Sequence, residues 1–387
     1  MKSLNIALIG YKFMGKAHSS ALLEYPFFFK DGVQPVRKVI VGRHEAPLKQ
    51  AAADFGWEEY ATDWRTVVKR ADIDVVDIAT PPSSHAEIVI EAAQAGKHVF
   101  CEKPFTATLE EAERTLAVVK RAGVKHMLGF NYRRVPAIGL AKSLIESGRL
   151  GQVFHWRAVY LQDWIMDPQF PRIWKLNKAI AGSGAHHELN SHLIDLAHYL
   201  VGRITQVVGL DQTFIKQRPA PAETGKLSTM LTAEASSSRL ETVDVDDATL
   251  FLARFANQAV GSFESTRFAA GRRNHNRIEV NGSKGSVVFD LEDMNRLQYY
   301  NAEDPKDVPG FRLIQATEGC HPYISHWWPP GHAIGYQATF VNQFADFFQA
   351  ISNNTKPEPG FEVGLENQKV LDAVSRSIAS QSWVEVA

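Results

Sequence analysis

The spacing of apolar and polar residues changes once along the chain. Through roughly the first third, short β-branched runs alternate with stretches of helical period. The runs LNIALIG (4–10), VRKVIVG (36–42), DVVDIAT (74–80), HVFCEKP (98–104) and KHMLGFN (125–131) read as strands. Residues 14–23, 46–55, 85–95 and 109–122 read as the helices between them. In 85–95, apolar side chains stand at 86, 89, 90 and 93, one face of a helix. Strands alternating with helices predict a parallel sheet with helices on both faces.

After about residue 150 the period falls to two. VFHWRAVYLQD (153–163), LSTMLTAEASS (227–237), ATLFLARFA (248–256), AVGSFESTRF (259–268), NRIEVNG (276–282), GSVVFD (285–290) and LQYYN (297–301) mostly alternate. NGSKG (281–285) reads as a tight hairpin turn. Such strands predict a largely antiparallel sheet, exposed or covered on one face. A helical stretch, HHELNSHLIDLAHYLVG (186–202), lies among them, with Gly202 placed to stop it. Helical patterns at 340–351 and 364–380 close the chain. The expected architecture is α/β: a doubly wound Rossmann domain over 1–130, then an α+β domain over 131–387 with an open, mainly antiparallel sheet.

Composition narrows the class without naming a function. The 387 residues are 45% hydrophobic and 22% charged, with a formal net charge of −1. No global field recruits nucleic acid or an anionic membrane, and no apolar run approaches a membrane span. The two cysteines, Cys101 and Cys320, offer neither a disulfide framework nor metal-knuckle spacing. The N-terminus enters a strand pattern directly rather than a charged leader. A cytoplasmic enzyme with no nucleic-acid or membrane partner is expected.

Candidate chemistry begins at GYKFMG (10–15), which follows the first strand. The dinucleotide fingerprint G-x-G-x-x-G has Lys12 at its centre here. Gly10 suits the tight turn and Gly15 close helix–strand packing. Lys12 is either a phosphate-reaching ammonium or an exposed loop lysine. In a doubly wound sheet the ligand sits outside the carboxyl ends of the strands. Cofactor contacts are therefore assigned to Gly10, Lys12, Phe13, Met14, Gly15, Arg43, Thr80, Pro81, His85, Glu102 and Lys103. The second strand ends in VGRHE (41–45), with Arg43 where an acid usually holds the ribose hydroxyl, so NAD and NADP both stay open.

Two further features carry reactive groups. CEKP (101–104) puts Lys103 at a strand end, where burial lowers a lysine toward acid–base work. The helix over 186–202 places Glu188 and His192 four apart on one face, with Asp195 three further on. His187-Glu188-x-x-x-His192 is one residue too long for a zinc-protease helix, and no metal is expected.

Together these features resemble the glucose–fructose oxidoreductase/inositol dehydrogenase/MocA family. The resemblance runs through ALIGYKFMGKAHS, VVDIATPPSSHAEI, GKHVFCEKPF, GFNYRR, GSGAHHELNSHLIDLAHYLVG and NGSKGSVVFD. FMGKAHS, DWR, YLQDW and WPPGHAIGY look most like bacterial sugar and glycoside dehydrogenases of the levoglucosan dehydrogenase kind. The resemblance implies that Lys103, His192 and Glu188 are catalytic, with Glu188 standing where the family usually has Asp. The extra methylene carries that carboxylate about 1.5 Å further, leaving it open between orienting His192, touching a substrate hydroxyl and bonding Lys103.

The implied reaction is oxidation of a secondary ring hydroxyl, at C3, of a sugar or glycoside, with hydride passing to NAD or NADP. His192 or Lys103 accepts the hydroxyl proton. Lys103, Tyr132, Gln162, Asp163, Trp164, His187, Glu188, His192 and His332 are the expected substrate contacts. Arg133 either clamps the cofactor or forms an ion pair at the domain junction. A homodimer or homotetramer through the second sheet is implied as well. Two alternatives differ in kind: a tightly held cofactor that serves transient oxidation within elimination or hydrolysis, and a non-catalytic nucleotide sensor, against which Lys103 and His192 argue.

Overall fold

The computed structural model describes residues 2–30, 32–222 and 235–387. Six strands form the first sheet: β1 (Lys2–Ile9), β2 (Val33–Val41), β3 (Glu59–Ala61), β4 (Val75–Ile78), β5 (His98–Glu102) and β6 (His126–Gly129). Their order is β3-β2-β1-β4-β5-β6 and every pairing is parallel. The winding reverses between β1 and β4, which opens a crevice at the carboxyl ends of those strands.

Burial on both faces explains why these strands are continuous apolar runs. Ile6 and Leu8 of β1 face a layer containing Leu22, Tyr25 and Phe100. Ala7 and Ile9 face the other layer, with Ile88 and Val89. Phe340, Phe344, Phe347 and Phe348 of helix Tyr336–Ser352 complete the first layer. A segment late in the sequence thus covers the first sheet.

The second sheet contains β7 (Val153–Leu161), β8 (Ile204–Gln212), β11 (Ala248–Phe255), β12 (Val260–Thr266), β13 (His275–Gly282), β14 (Gly285–Asp290), β15 (Arg296–Asn301), β16 (Arg312–Gln315) and β17 (Val384–Glu385), while β9 (Gln217–Pro221) pairs with β10 (Ala235–Thr242) apart from it. The order is β16-β15-β14-β13-β7-β12-β11-β8-β17. All pairings are antiparallel except one: β7 runs parallel to β12 at the centre. Side-chain alternation is the same in either orientation, so the sequence pattern could not show that pair.

Along β11, Phe251, Ala253 and Phe255 are buried while Leu250, Leu252 and Arg254 are exposed. The inner face packs under helices Pro136–Glu146, Ser191–Leu200 and Phe361–Ser380. Most of the strand expected over 227–237 lies outside the described residues. The helix expected over 186–202 is a π turn, His186–Asn190, followed by an α-helix, Ser191–Leu200, with Gly202 at φ +131° after it.

Candidate active site

The first turn is built around two glycines. Gly10 follows β1 at φ +113°, and a Cβ there would sit 2.5 Å from the Ala79 carbonyl oxygen. A Cβ on Gly15 would sit 2.2 Å from the Gly10 carbonyl oxygen. Both contacts are with backbone, so only glycine lets the turn close against β4. Helix Phe13–Phe28 starts here with no side-chain cap and no acid in its first turn. Its free N–H groups and positive dipole end are therefore not neutralised by the protein, which fits a dinucleotide pyrophosphate. Lys12 and Phe13 are exposed beside it and Met14 is half-buried. Arg43 is exposed just past β2. Thr80 and Pro81 follow β4, half-buried, with the Thr80 hydroxyl accepting from Ser84 at 2.7 Å.

Two expected cofactor contacts prove to be internal. The His85 ring nitrogens lie 3.0 Å from the Pro104 carbonyl and 2.8 Å from the Thr80 carbonyl. The buried ring pins the ends of β4 and β5 together and has no nitrogen left for a ligand. Glu102 is buried, with one oxygen 3.1 Å from His18 Nε2 and the other accepting the Lys103 N–H at 3.2 Å. His18 Nδ1 lies 2.9 Å from Asp77. Burial alone would depress His18, but Asp77 and Glu102 outweigh it and hold its pKa up at about 10. This buried imidazolium escaped the sequence reading. Its signal was an acid, Asp77, inside the apolar run of β4, with a histidine three residues past Gly15.

Lys103 leaves β5 toward the second sheet, and its ammonium donates to the Glu188 carbonyl at 3.0 Å. Burial lowers its pKa from the ordinary lysine value. His192 is buried one residue into the helix after the π turn, its ring 4.3 Å from that of Tyr132. Burial, then the Lys103 charge, hold its pKa well below the usual value, so the imidazole is neutral near pH 7. A neutral ring can accept a proton, while the ammonium beside it can stabilise negative charge.

The Glu188 carboxylate does not turn to His192 or Lys103. It pairs with Lys175 and lies 3.4 Å from Arg267. Burial would raise Glu188, but Lys175, Arg267 and Lys103 outweigh it and bring its pKa to about 2. The four-residue spacing misled because a π turn widens the helix and rotates its side chains relative to an α-helix. Asp195 also stays away from His192: both its oxygens take Arg133, at 2.6–3.0 Å, and so Arg133 is a buried ion-pair partner.

One wall is polar and aromatic. Trp164 donates its indole N–H to Gln162 Oε1 at 2.9 Å, and Gln162 Nε2 donates to Asn274 Oδ1 at 3.0 Å. The Tyr160 hydroxyl reaches the same Asn274 oxygen at 2.7 Å and the Tyr132 hydroxyl at 2.7 Å. Lys175 Nζ and the Arg267 guanidinium lie 5.6 and 5.9 Å from the Trp164 ring. The structure thereby adds Tyr160, which opens the YLQDW stretch but was not among the expected contacts, and Asn274, Lys175 and Arg267, on segments where sequence offered no motif.

Three expected substrate contacts fall elsewhere. Asp163 holds the loop between β12 and β13, accepting from Arg273 and from the Gly271 N–H, both at 3.0 Å. His187 is buried against the Gly182 turn, where a Cβ would strike its Nδ1 at 2.4 Å, and burial depresses it to about 3. The exposed His332 ring bonds the Pro329 carbonyl of its own loop at 2.9 Å. Tyr336, four residues on, is the member of that segment beside Tyr132, with ring centroids 6.4 Å apart. Among the described residues, only His275, Asp290 and Glu292 cluster as three metal-type ligands, and one Glu292 oxygen there already accepts the Arg273 and Asn274 N–H groups.

Comparison with known proteins agrees with this two-part fold. Residues 4–130 match the family model described as "Oxidoreductase family, NAD-binding Rossmann fold", and residues 138–288 match "GFO/IDH/MocA C-terminal domain". The chain is 44% identical over 388 residues to levoglucosan dehydrogenase of Pseudarthrobacter phenanthrenivorans, covering 100% of this chain and 99% of that one. It is 26% identical to inositol 2-dehydrogenase of Rhizobium meliloti, covering 100% of both. Among solved structures, an oxidoreductase domain protein from Kribbella flavida superposes with a TM-score of 0.93 at 47% identity, covering both chains completely. A levoglucosan dehydrogenase complex with NADH and levoglucosan superposes with a TM-score of 0.93 at 43% identity, again over the whole of both chains.

Proposed function

The chain belongs to the GFO/IDH/MocA family of NAD-binding oxidoreductases, and from that premise we propose that it oxidises a secondary ring hydroxyl, at C3, of a sugar or glycoside to the ketone. The observation that carries this reading is the Lys103 ammonium, held by the Glu188 carbonyl beyond the carboxyl end of β5, with its charge felt by a buried, neutral His192. The relative named for levoglucosan supports a compact sugar or glycoside as substrate.

The bound nicotinamide supplies a hydride acceptor. As the C–H pair of electrons leaves the substrate carbon, the hydroxyl O–H bond breaks and its proton passes to His192. Lys103 holds the oxygen while negative charge develops on it, and the C=O bond completes the ketone. The Glu188 carbonyl aims Lys103, and Arg267 and Lys175 keep the Glu188 side chain out of the reaction. Gln162 and Trp164 form the wall for sugar hydroxyls and apolar C–H faces.

We also propose a homodimer or homotetramer through the outer face of the second sheet. Phe154, Leu252, Val260 and Trp383 are each about half exposed there. Leu252, Val260 and Trp383 help line a hollow of about 280 Å³.

The direct test is a panel of sugars and glycosides offered with NAD and with NADP, with the oxidised carbon located by product analysis. Release of NADH with a 3-keto product is expected. A cofactor that co-purifies and yields no net NADH would move the reading to internal oxidation within elimination or hydrolysis. Cofactor binding without turnover of any carbohydrate would end it.

A further inference from the structure

The hydrogen bonds of the aromatic wall have only one consistent direction. An indole N–H donates and never accepts, so the Gln162 atom facing Trp164 is the amide oxygen. The other end of that amide is then its NH2 group, which donates to Asn274. The Asn274 atom receiving it must be Oδ1, and the Tyr160 hydroxyl bonding the same atom must donate as well. A tyrosine carries one hydroxyl proton. Tyr160 has used its own, so in the 2.7 Å contact between the two hydroxyls Tyr132 is the donor. Its single proton is also committed, and its oxygen can only accept from anything else.

We propose that Trp164, Gln162, Asn274 and Tyr160 act as positioning residues that make the Tyr132 hydroxyl an obligate hydrogen-bond acceptor, so that Tyr132 reads a hydroxyl proton on the substrate. This rests on the sugar-oxidation reading above and extends it to a rule of specificity. The ring of Tyr132 lies 4.3 Å from that of His192, so the hydroxyl it reads is near the reacting carbon. It is not the reacting hydroxyl, whose proton goes to His192. Tyr132 therefore accepts from a neighbouring hydroxyl and rejects a group that can only accept, such as a fluorine or a carbonyl.

Gln162→Glu tests the direction. A carboxylate still accepts from Trp164 but cannot donate to Asn274 Oδ1. The Asn274 amide then turns its NH2 toward Glu, Tyr160 accepts from Asn274 or donates onward, and Tyr132 becomes free to donate. Wild-type enzyme and variant are assayed on the pyranose that proves to be a substrate and on its monodeoxyfluoro analogues. At one position, wild type is expected to lose about ten-fold or more in kcat/KM on replacing OH by F, mainly through KM. Gln162→Glu should shrink that discrimination at that position and leave the others unchanged. Trp164→Phe, which removes the N–H and keeps a ring, should also weaken it, and Asn274→Asp, which keeps an acceptor at both bonds, should preserve it. The same OH/F ratio in wild type, Gln162→Glu and Trp164→Phe would overturn the proposal. Failure of wild type to oxidise any sugar would instead remove the functional reading beneath it.

Discussion

Lys103 Nζ and the backbone carbonyl of Glu188 lie 3.0 Å apart, which ties the end of a strand in the first sheet to the π turn beneath the second. The carbonyl orients the ammonium without neutralising it, while the Glu188 side chain is held elsewhere by Lys175 and Arg267. Lys103→Met is expected to lower kcat by about a hundred- to a thousand-fold, the usual scale for losing one oxyanion donor. NADH binding, followed by fluorescence, should stay within a few-fold of wild type. Normal turnover in this variant would remove Lys103 from the chemistry.

The same lysine sets the alkaline limit. Its folded pKa is lowered, so the ammonium is present below that value and disappears as pH rises through it. If the ammonium holds the developing oxyanion, kcat/KM falls with rising pH, before the ordinary lysine value of 10.5. Glu188 opposes the lowering, so Glu188→Gln should move the alkaline limb to still lower pH. A limb that appears only on acidification would assign Lys103 to proton acceptance instead.

His192 predicts a different profile. Its pKa lies well below 6.5, so the ring is neutral throughout the neutral range and contributes no acid limb there. His192→Ala should cost about a hundred- to ten-thousand-fold in kcat, the range for one general base. An acid limb centred near pH 6.5 that vanishes in His192→Ala would contradict the buried, neutral assignment.

Much of this site was legible in the chain because its signals were local. β1, the two glycines and the strand carrying Lys103 follow from short apolar runs ending in Gly or Pro. What sequence could not supply were partners distant along the chain. Glu188 and Arg267 stand 79 residues apart, and Arg133 and Asp195 stand 62 apart. No periodicity links such pairs, and the α-helical spacing of Glu188 and His192 misdirected because it presumes a regular helix. His85, Asp163, His187 and His332 have side chains suited to ligands, but burial or bonding within the protein decides their fate, and neither is visible in a motif.

The His18 network couples stability to pH. Its folded pKa of about 10 lies above the ordinary 6.5, so the folded state holds the proton more tightly. The stabilisation is complete below pH 6.5 and is lost as pH rises through about 10. His18→Gln leaves Asp77 and Glu102 buried without their cation, and a loss of about 3–5 kcal/mol is the scale for breaking such a group. Urea melts at several pH values should show wild type losing stability between pH 7 and 10 relative to His18→Gln. Parallel curves across that window would mean that His18 carries no extra proton in the folded protein.

The two halves of the first turn are expected to respond differently to substitution. At Gly15 an added methyl would meet the Gly10 carbonyl oxygen at 2.2 Å, and a backbone atom cannot swing aside as a side-chain end can. The helix start must move away from β1, carrying its N–H groups with it, so Gly15→Ala should weaken NADH binding by about ten-fold or more, the scale of one or two lost hydrogen bonds. Lys12 is exposed and its side chain caps nothing, so the turn itself does not depend on it. Lys12→Gly should leave the melting temperature unchanged, and any effect on NADH affinity should shrink as salt rises, because an exposed ammonium acts on phosphate through a screened field. Titrations of both variants at low and high ionic strength separate the cases. A salt-independent loss in Lys12→Gly would make Lys12 a structural part of the turn, and unchanged binding in Gly15→Ala would mean that the pyrophosphate does not lie at this helix start.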